Sequence, residues 1–469
     1  MNVMKTIKNI ASYALSISAT GLFLINSAWA AIPIEHWTQA SGAQVFLVQS
    51  AAIPMVDVQL DFDAGSRRDP VDHAGLASVT AAMMSKGIQA GGSPAEPAMD
   101  ENALGEAWAD LGASFGGHAT SDRMSFALRS LTYPDLLAQA VQLAARQLAQ
   151  PSFPVDVWQR EREAMQASIR EANTRPATLA DRAFNQAVYG PHPYGYEVTQ
   201  ESLAHIDVAQ MAALQRQSLL PCRAKVTVVG AVDRAQADGL VTSLLSRLAA
   251  ASGVGATPTQ ACLVLPAVPE VAPLQHASEV RIPFDSAQAH VLMGQPGFKR
   301  DDPDYFALTV GNYILGGGGF VSRLTHEVRE KRGLSYSVYS YFSPALHAGA
   351  FTVGLQTRPD QANQALDVAR DVLARFVTDG PTEAELKAAK DHLMGGFALR
   401  IDSNRKLLDN VANIAWNQLP LDYLDTWTQQ VDKLTTAQIR AAFQRKLQPQ
   451  SMATVVLGGT PAQPSGATD

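Results

Sequence analysis

The sequence predicts an α+β protein made of two copies of one unit of roughly 200 residues, joined by an extended linker. Three observations carry this. Segments in the two halves of the chain correspond at a nearly constant offset. Within each half, strand patterns and long helical patterns segregate instead of alternating as βαβ units, which favours a mixed or antiparallel sheet with helices packed on it. Between the halves lies "AAASGVGATPTQACLVLPAVPEVAPLQHA" (249–277), rich in Ala, Pro and Gly and poor in charge. Such a stretch reads as an extended connector.

The first thirty residues stand apart. Lys5 and Lys8 begin a short basic start, an apolar run extends from Ala11 to Ile25, and "SAWA" ends at Ala30. This is the pattern of a secretory signal peptide, with cleavage expected between Ala30 and Ala31 and a periplasmic destination. The apolar run is broken by Ser and Thr and is shorter than the ~20 residues a membrane span needs. No stable membrane insertion is expected after cleavage. The two units are then expected at 31–248 and 278–460, with a flexible tail at 461–469.

The correspondences run in order. "MVDVQLDFDAGSRRDP" (55–70) alternates as a strand and ends in a Gly turn, and "AHVLMGQPGFKRDDP" (289–303) does the same. Each precedes a helix, "GLASVTAAMMSKG" or "YFALTVGNYILGG", with Gly75 and Tyr305 related by an offset of 230. In the first helix Leu76, Val79 and Met83 form the buried stripe. Long helical segments follow at 136–150 and 157–174, and their counterparts are "QANQALDVARDVLARFVTDG" and "TEAELKAAKDHLMGGFALRIDS". The closing strands "PCRAKVTVVG" and "PQSMATVVLG" end at Gly230 and Gly458, an offset of 228, and each follows a polar helix of similar cadence.

Composition excludes several functions. Apolar content of 46% and charged content of 17% fit a soluble globular chain with a large core. Without the two Lys of the leader the chain has 35 basic and 44 acidic residues, net −9, which is the wrong sign for nucleic acid. None of the ten His are spaced i, i+4, and neither H-E-x-x-H nor H-x-x-E-H occurs. "LGGGGF" (315–320) lacks the Lys-Ser/Thr of a phosphate loop. Cys222 and Cys262 are the only cysteines; they either pair or serve as small buried hydrophobes.

One cluster remains, "YILGGGGFVSRLTHEVREKRGLSYSVYSYF" (313–342). Its pattern predicts a helix from Val321 to Arg332 with Val321, Leu324 and Val328 buried. Gly333 should end it in the left-handed conformation, and a strand should follow with Leu334, Tyr336 and Val338 on one face. The reversal at Gly333 can bring the Arg329 guanidinium and the Tyr336 phenol together, and two converging donors can hold a carbonyl and the oxyanion it becomes. The alternative is that Arg329 joins a solvated basic face with Lys331 and Arg332, and that Tyr336 is a core aromatic.

At this point the chain resembles the pitrilysin/insulinase family of zinc peptidases, which includes the mitochondrial processing peptidase. "DAGSRRDPVDHAGLA", "VYGPHPYGYEVTQESL" (188–203) and "LGGGGFVSRLTHEVREKRGLSYSV" carry the resemblance, in the family's order and across essentially the whole mature chain. Active members have H-x-x-E-H on the first helix and a further metal-binding Glu on a later one. Here Ser78 and Ala82 stand at the His positions, Ala81 at the base, and Ser168 at the second Glu. Alkyl groups and neutral hydroxyls are poor zinc ligands, so this chain is expected to bind no metal. His73 lies five residues too early and reads as a turn residue.

The resemblance also implies roles for what is retained. Arg329 and Tyr336 correspond to the family's pair that holds the substrate carbonyl near zinc. Gly316, Gly317, Gly318 and Gly319, with Phe320, resemble the glycine-rich substrate loop of the zinc-less processing-peptidase subunit; a tight helix-to-helix turn is the competing reading. Family members of this size work as two facing repeats or chains, a clamshell of which this chain is half. The implied partner is a homologous zinc-motif subunit carrying the Zn, with peptides as substrates. The rival expectation is an inactive pseudopeptidase used as a structural or peptide-binding module.

Overall fold

The strand patterns of the two halves fold into two separate sheets. The computed structural model describes residues 32–94, 96–251, 262 and 264–459, so the expected leader, the expected tail and 252–261 of the connector lie outside the described residues. The first half contributes β1 (Glu35–Thr38), β2 (Gln44–Gln49), β3 (Met55–Phe62), the small ribbon β4 (Gly87–Ile88) and β5 (Met99–Asp100), then β6 (Ser114–Ala119), β7 (Met124–Leu131) and β8 (Lys225–Gly230). The second half contributes β9 (Ser278–Ile282), β10 (Ala289–Pro296), β11 (Ser337–Phe342), β12 (Ala350–Thr357) and β13 (Ala453–Leu457). The sheet orders are β1-β2-β8-β3-β7-β6 and β11-β12-β10-β13-β9.

These orders superimpose strand for strand once β1 is set aside. Each sheet has one parallel pair, β2 with β8 and β9 with β13. The pairs β3/β8, β3/β7 and β6/β7 are antiparallel, as are their counterparts β10/β13, β10/β12 and β11/β12. The mixed-sheet duplication read from the sequence is therefore present in connectivity and direction.

The helices repeat as well. The first half has α1 (Leu76–Met83), α2 (Glu101–Asp110), α3 (Pro134–Ala149), α4 (Val155–Ala172), α5 (Pro176–Tyr189), α6 (Gln200–His205), α7 (Val208–Ser218) and α8 (Arg234–Ala251). The second has α9 (Tyr305–Asn312), α10 (Ala362–Asp379), α11 (Glu383–Gly395), α12 (Asn404–Trp416), α13 (Tyr423–Asp432) and α14 (Thr436–Lys446). The polar helices α7 and α14 begin with matching capping boxes, Asp207 with Gln210 and Thr435 with Gln438. Each box satisfies two amide donors that a helix start leaves open. Helix α8 continues through 249–251, which the sequence pattern placed in the connector.

Two helices cross between the halves. Helix α5 packs Ala180, Phe184 and Val188 on Leu292, Ala453, Val455 and Leu457 of the second sheet. Gly294 permits this approach, because a Cβ there would sit 2.8 Å from Phe184 Cζ. Its counterpart α12 lies on β3 and β8 of the first sheet. At an offset of 228 the three α5 positions become Leu408, Ala412 and Trp416, all buried. The exchange explains why β3 is buried on both faces although it alternates: Asp57, Gln59 and Asp61 face inward with the apolar residues. Asp61 accepts from Gln59, Ser125 and Arg123. Arg123 and Lys225 in turn donate to the last α12 carbonyls, Arg123 to Ala412 at 3.3 Å and Lys225 to Ala415 and Trp416 at 3.0 and 3.1 Å. Two cations at a helix C-terminus complement its dipole, and both also lie over the Trp416 ring.

The connector is irregular from 264 to 277 and is tied to the rest of the chain at several points. Cys222 and Cys262 form a disulfide, which settles the alternative left open above. It closes a 40-residue separation, worth about 4 kcal/mol in the chain-entropy account. Further along, Arg68 donates to Pro266 O at 3.0 Å, and Glu270 pairs with Lys299 and His347 at 3.2 and 3.1 Å. The H-P-Y-G segment lies at this junction. Tyr194 donates to Asp122, Asp122 accepts from Leu346 N at 3.0 Å, and His347 N donates to the Tyr194 oxygen at 3.1 Å.

Two predictions follow from the exchange and the junction. Phe184→Ala and Trp416→Ala should each cost about 3–5 kcal/mol. Each should also lower the urea midpoint of both halves in one transition, because each core is closed by the other half's helix. The second concerns His192, whose Nδ1 accepts from Tyr194 N and whose Nε2 therefore donates to Pro269 O. Burial holds its imidazole below the usual histidine range. The folded state thus resists protonation: its stability is full above about pH 6.5 and falls as pH drops below that value. Urea midpoints measured from pH 8 to 5 should decline, and His192→Gln should flatten the decline.

Candidate functional site

The retained signature follows α9. The backbone there widens into a π-helical turn at Tyr313–Gly317, tightens to a 3₁₀ turn at Gly319–Val321 and widens again into a π-helical stretch at Thr325–Glu330. Such wide turns recur at functional sites. The expected helix from Val321 to Arg332 is therefore shorter and wider than predicted. Leu324 and Val328 are buried as expected, but Val321 is 74% exposed. The cause is Gly319, whose φ of +60° swings the chain out before the helix begins.

The glycines divide by role. Gly316 is buried, and a Cβ there would lie 2.5 Å from the backbone nitrogen of Ser340 on the edge strand β11. The same edge is tied by Asn312, which donates to Ser340 O and accepts from Ser340 Oγ. Gly316 thus packs on the edge strand, covering an edge that would otherwise invite strand pairing. Gly317, Gly319 and Phe320 are exposed and Gly318 is half-buried.

Gly333 ends the helix at φ +62°, donating to Arg329 O at 2.9 Å while Leu334 N donates to Val328 O at 3.0 Å. Tyr336 differs from expectation. It precedes β11 and is 79% exposed, whereas Leu334 and Val338 are buried. The strand alternation slips because Ser335 is buried and donates to Gln356 O at 2.8 Å, which turns Tyr336 outward.

Arg329 and Tyr336 do come together. The guanidinium carbon lies over the Tyr336 ring at 5.0 Å and over the Phe320 ring at 4.8 Å. The neighbouring charges are engaged elsewhere. Glu327 binds both Lys331 and Arg332 at 2.7 Å, and these hydrogen bonds hold its carboxyl at about 2. Glu330 pairs with His326 at 2.9 Å, and Arg323 with Glu385 at 2.7 Å. Among the described residues, no group accepts a hydrogen bond from the Arg329 guanidinium. Lys331 and Arg332 share the Glu327 carboxylate, whereas Arg329 lies over two rings.

The helix at the family's metal position is intact and chemically blank. Leu76, Val79 and Met83 are buried, Ser78 and Ala82 are exposed, and Ala81 is buried. Asp69 anchors the start of α1, accepting from Gly75 N and Ala77 N at 3.0 and 3.1 Å, and burial raises its carboxyl to about 7. Ser168 on α4 is exposed beside a cleft lined by Arg182, Asn185, Glu197 and Val198, where Arg182 pairs with Glu197 at 3.3 Å. Among the described residues no group of three or more His, Cys, Asp or Glu side chains could hold a metal ion. Zinc does not fit this donor set: two methyl groups and two hydroxyls stand where imidazoles and carboxylates would be needed. His73 sits in a 3₁₀ turn with Gln210 and Asp72.

Residue patterns alone missed two things. The stacking of Phe320 on Arg329 had no periodic signal, because a turn and a π-helix lie between them. The junction of Asp122, Tyr194 and His347 was foreshadowed only by the H-P-Y-G segment.

A family model described as "Insulinase (Peptidase family M16)" matches residues 44–202, and one described as "Peptidase M16 inactive domain" matches 205–393. The chain is similar to an uncharacterized zinc protease of Mycobacterium leprae, 29% identical over 307 residues, covering 65% of this chain and 67% of that one. It is also similar to the non-peptidase homolog YmxG of Helicobacter pylori, 34% identical over 160 residues, 33% of this chain and 36% of that one. Among solved structures, a peptidase M16 inactive domain from Pseudomonas fluorescens has a TM-score of 0.83 at 34% identity, covering 92% of this chain and 99% of that one. The chain belongs to the M16 (insulinase) peptidase family, as a member whose first helix carries Ser78, Ala81 and Ala82 in place of the metal motif.

Proposed function

We propose that this chain is the zinc-less subunit of an exported heterodimeric metallopeptidase. It supplies Arg329 and Tyr336 to bind the carbonyl of the scissile peptide bond and to stabilise the oxyanion. A homologous zinc-motif subunit brings the metal and the general base. The observation that carries this reading is that Arg329, whose guanidinium makes no hydrogen bond or ion pair among the described residues, lies 5.0 Å from the ring centre of an exposed Tyr336. The guanidinium N–H groups and the phenol O–H are both hydrogen-bond donors. Such donors are worth most where negative charge develops in the transition state.

The surroundings support an extended peptide as substrate. Val321 stands exposed next to Phe320 and offers apolar contact to an unfolded chain. The disulfide supports an oxidising compartment, in keeping with the leader and a periplasmic location. No helix among the described residues is long and apolar enough to cross a membrane. Similarity to a non-peptidase homolog favours a second reading, an inactive peptide-binding or structural module.

Co-expression with a zinc-motif paralogue and an assay on an unfolded peptide separates the two. Arg329→Ala and Tyr336→Phe should each lower turnover by ~10²–10³ while the complex still elutes intact. Wild-type turnover in both variants would remove the assigned roles, and no turnover in any pairing favours the module. Metal analysis is a further check: the purified chain alone should hold only substoichiometric zinc, and one zinc per chain would overturn the division of labour.

A further inference from the structure

Phe320 is 69% exposed, so core packing does not hold it. A rigid turn does. Ser322 is buried, and its Oγ donates to Gly319 O at 2.8 Å and bonds Thr325 Oγ1 at 3.1 Å. This pins the Phe320 turn onto the helical segment that carries Arg329. Gly319 is needed for the backbone, since its φ is +60° while a Cβ there would meet nothing. The ring so presented has the Arg329 guanidinium over it at 4.8 Å.

A guanidinium that must bind a carbonyl faces a conflict. A carboxylate neighbour would fix its position but occupy its donors. An aromatic ring fixes it through the flat face and leaves the N–H groups at the edge free. The charges nearby fit this solution, because Glu327 is taken by Lys331 and Arg332 and Glu330 by His326. Arg329 is left with the two rings of Phe320 and Tyr336.

We propose that Phe320 is a positioning residue, which orients the Arg329 guanidinium for the substrate carbonyl instead of contacting substrate side chains. This rests on the carbonyl-binding reading of Arg329. It predicts that an aromatic ring, not apolar bulk, is required at position 320.

Two measurements test it and keep its failure distinct from that of the reading beneath it. In the full chain alone, labelled with ¹⁵N-arginine and assigned with Arg329→Lys, the Arg329 Nε–H resonance should be shifted upfield by the rings. Phe320→Leu should move it downfield and Phe320→Trp should restore it. In the complex, Phe320→Leu should lower kcat roughly 3–30-fold with KM little changed, and Phe320→Trp should recover it. An unchanged resonance in Phe320→Leu overturns the proposal whatever the activity. A moved resonance with wild-type kcat overturns the catalytic role, as does a change confined to KM that follows substrate side chain. If Arg329→Ala retains full turnover, the underlying reading fails instead.

Discussion

The exchange of α5 and α12 between the two sheets is the constraint on which the remaining structure depends. Neither sheet has a complete core without the other half's helix. The three contact positions on each helix correspond at one offset but differ in size, Ala180, Phe184 and Val188 against Leu408, Ala412 and Trp416. The duplicated frame was thus kept while each interface was packed anew, as close-packed interiors require. Crossing also buries polar residues of β3, and these are tolerated only because Asp61, Arg123 and Lys225 satisfy one another and the end of α12.

The same economy of charge shapes the candidate site. The segment from Arg323 to Arg332 carries four strong cations and three carboxyl or imidazole partners, and local pairing uses nearly all of them. Lys331 and Arg332 converge on one carboxylate, Glu327. Arg323 reaches across to Glu385. A helix with more cations than nearby carboxylates leaves one unpaired, and the turn at Gly333 decides that it is the one beside Tyr336. Arg329 instead lies over the rings of Phe320 and Tyr336.

Much of this was legible in the sequence, for a physical reason. Strand and helix periodicity records burial, and the repeated order of elements showed through at offsets of 230 and 228. Gly333 was readable because a left-handed helix end needs it. What escaped were departures from periodicity. A 3.6-residue period puts Val321 in the core, whereas the π and 3₁₀ turns break that period. Strict alternation puts Tyr336 with Leu334 and Val338, whereas Ser335 turns inward. The exchange of α5 and α12 left no local mark, since an apolar face does not say which sheet it will meet.

The blank helix fits the same logic. In α1 the residues that pack and the residues that could hold metal are different sets. Leu76, Val79 and Met83 are buried in the first half's core, while Ser78 and Ala82 point away from it. Replacing exposed ligands leaves the stripe untouched, so a helix of this kind can lose its chemistry without losing its fold. Ala81 marks the limit: it is buried, and a carboxylate there would have to be desolvated. The second-half signature is built the other way. Gly316 is pressed on Ser340, Ser322 and Thr325 fix the turn, and Gly333 sets the reversal, so the residues that shape the fold are the ones that place Arg329.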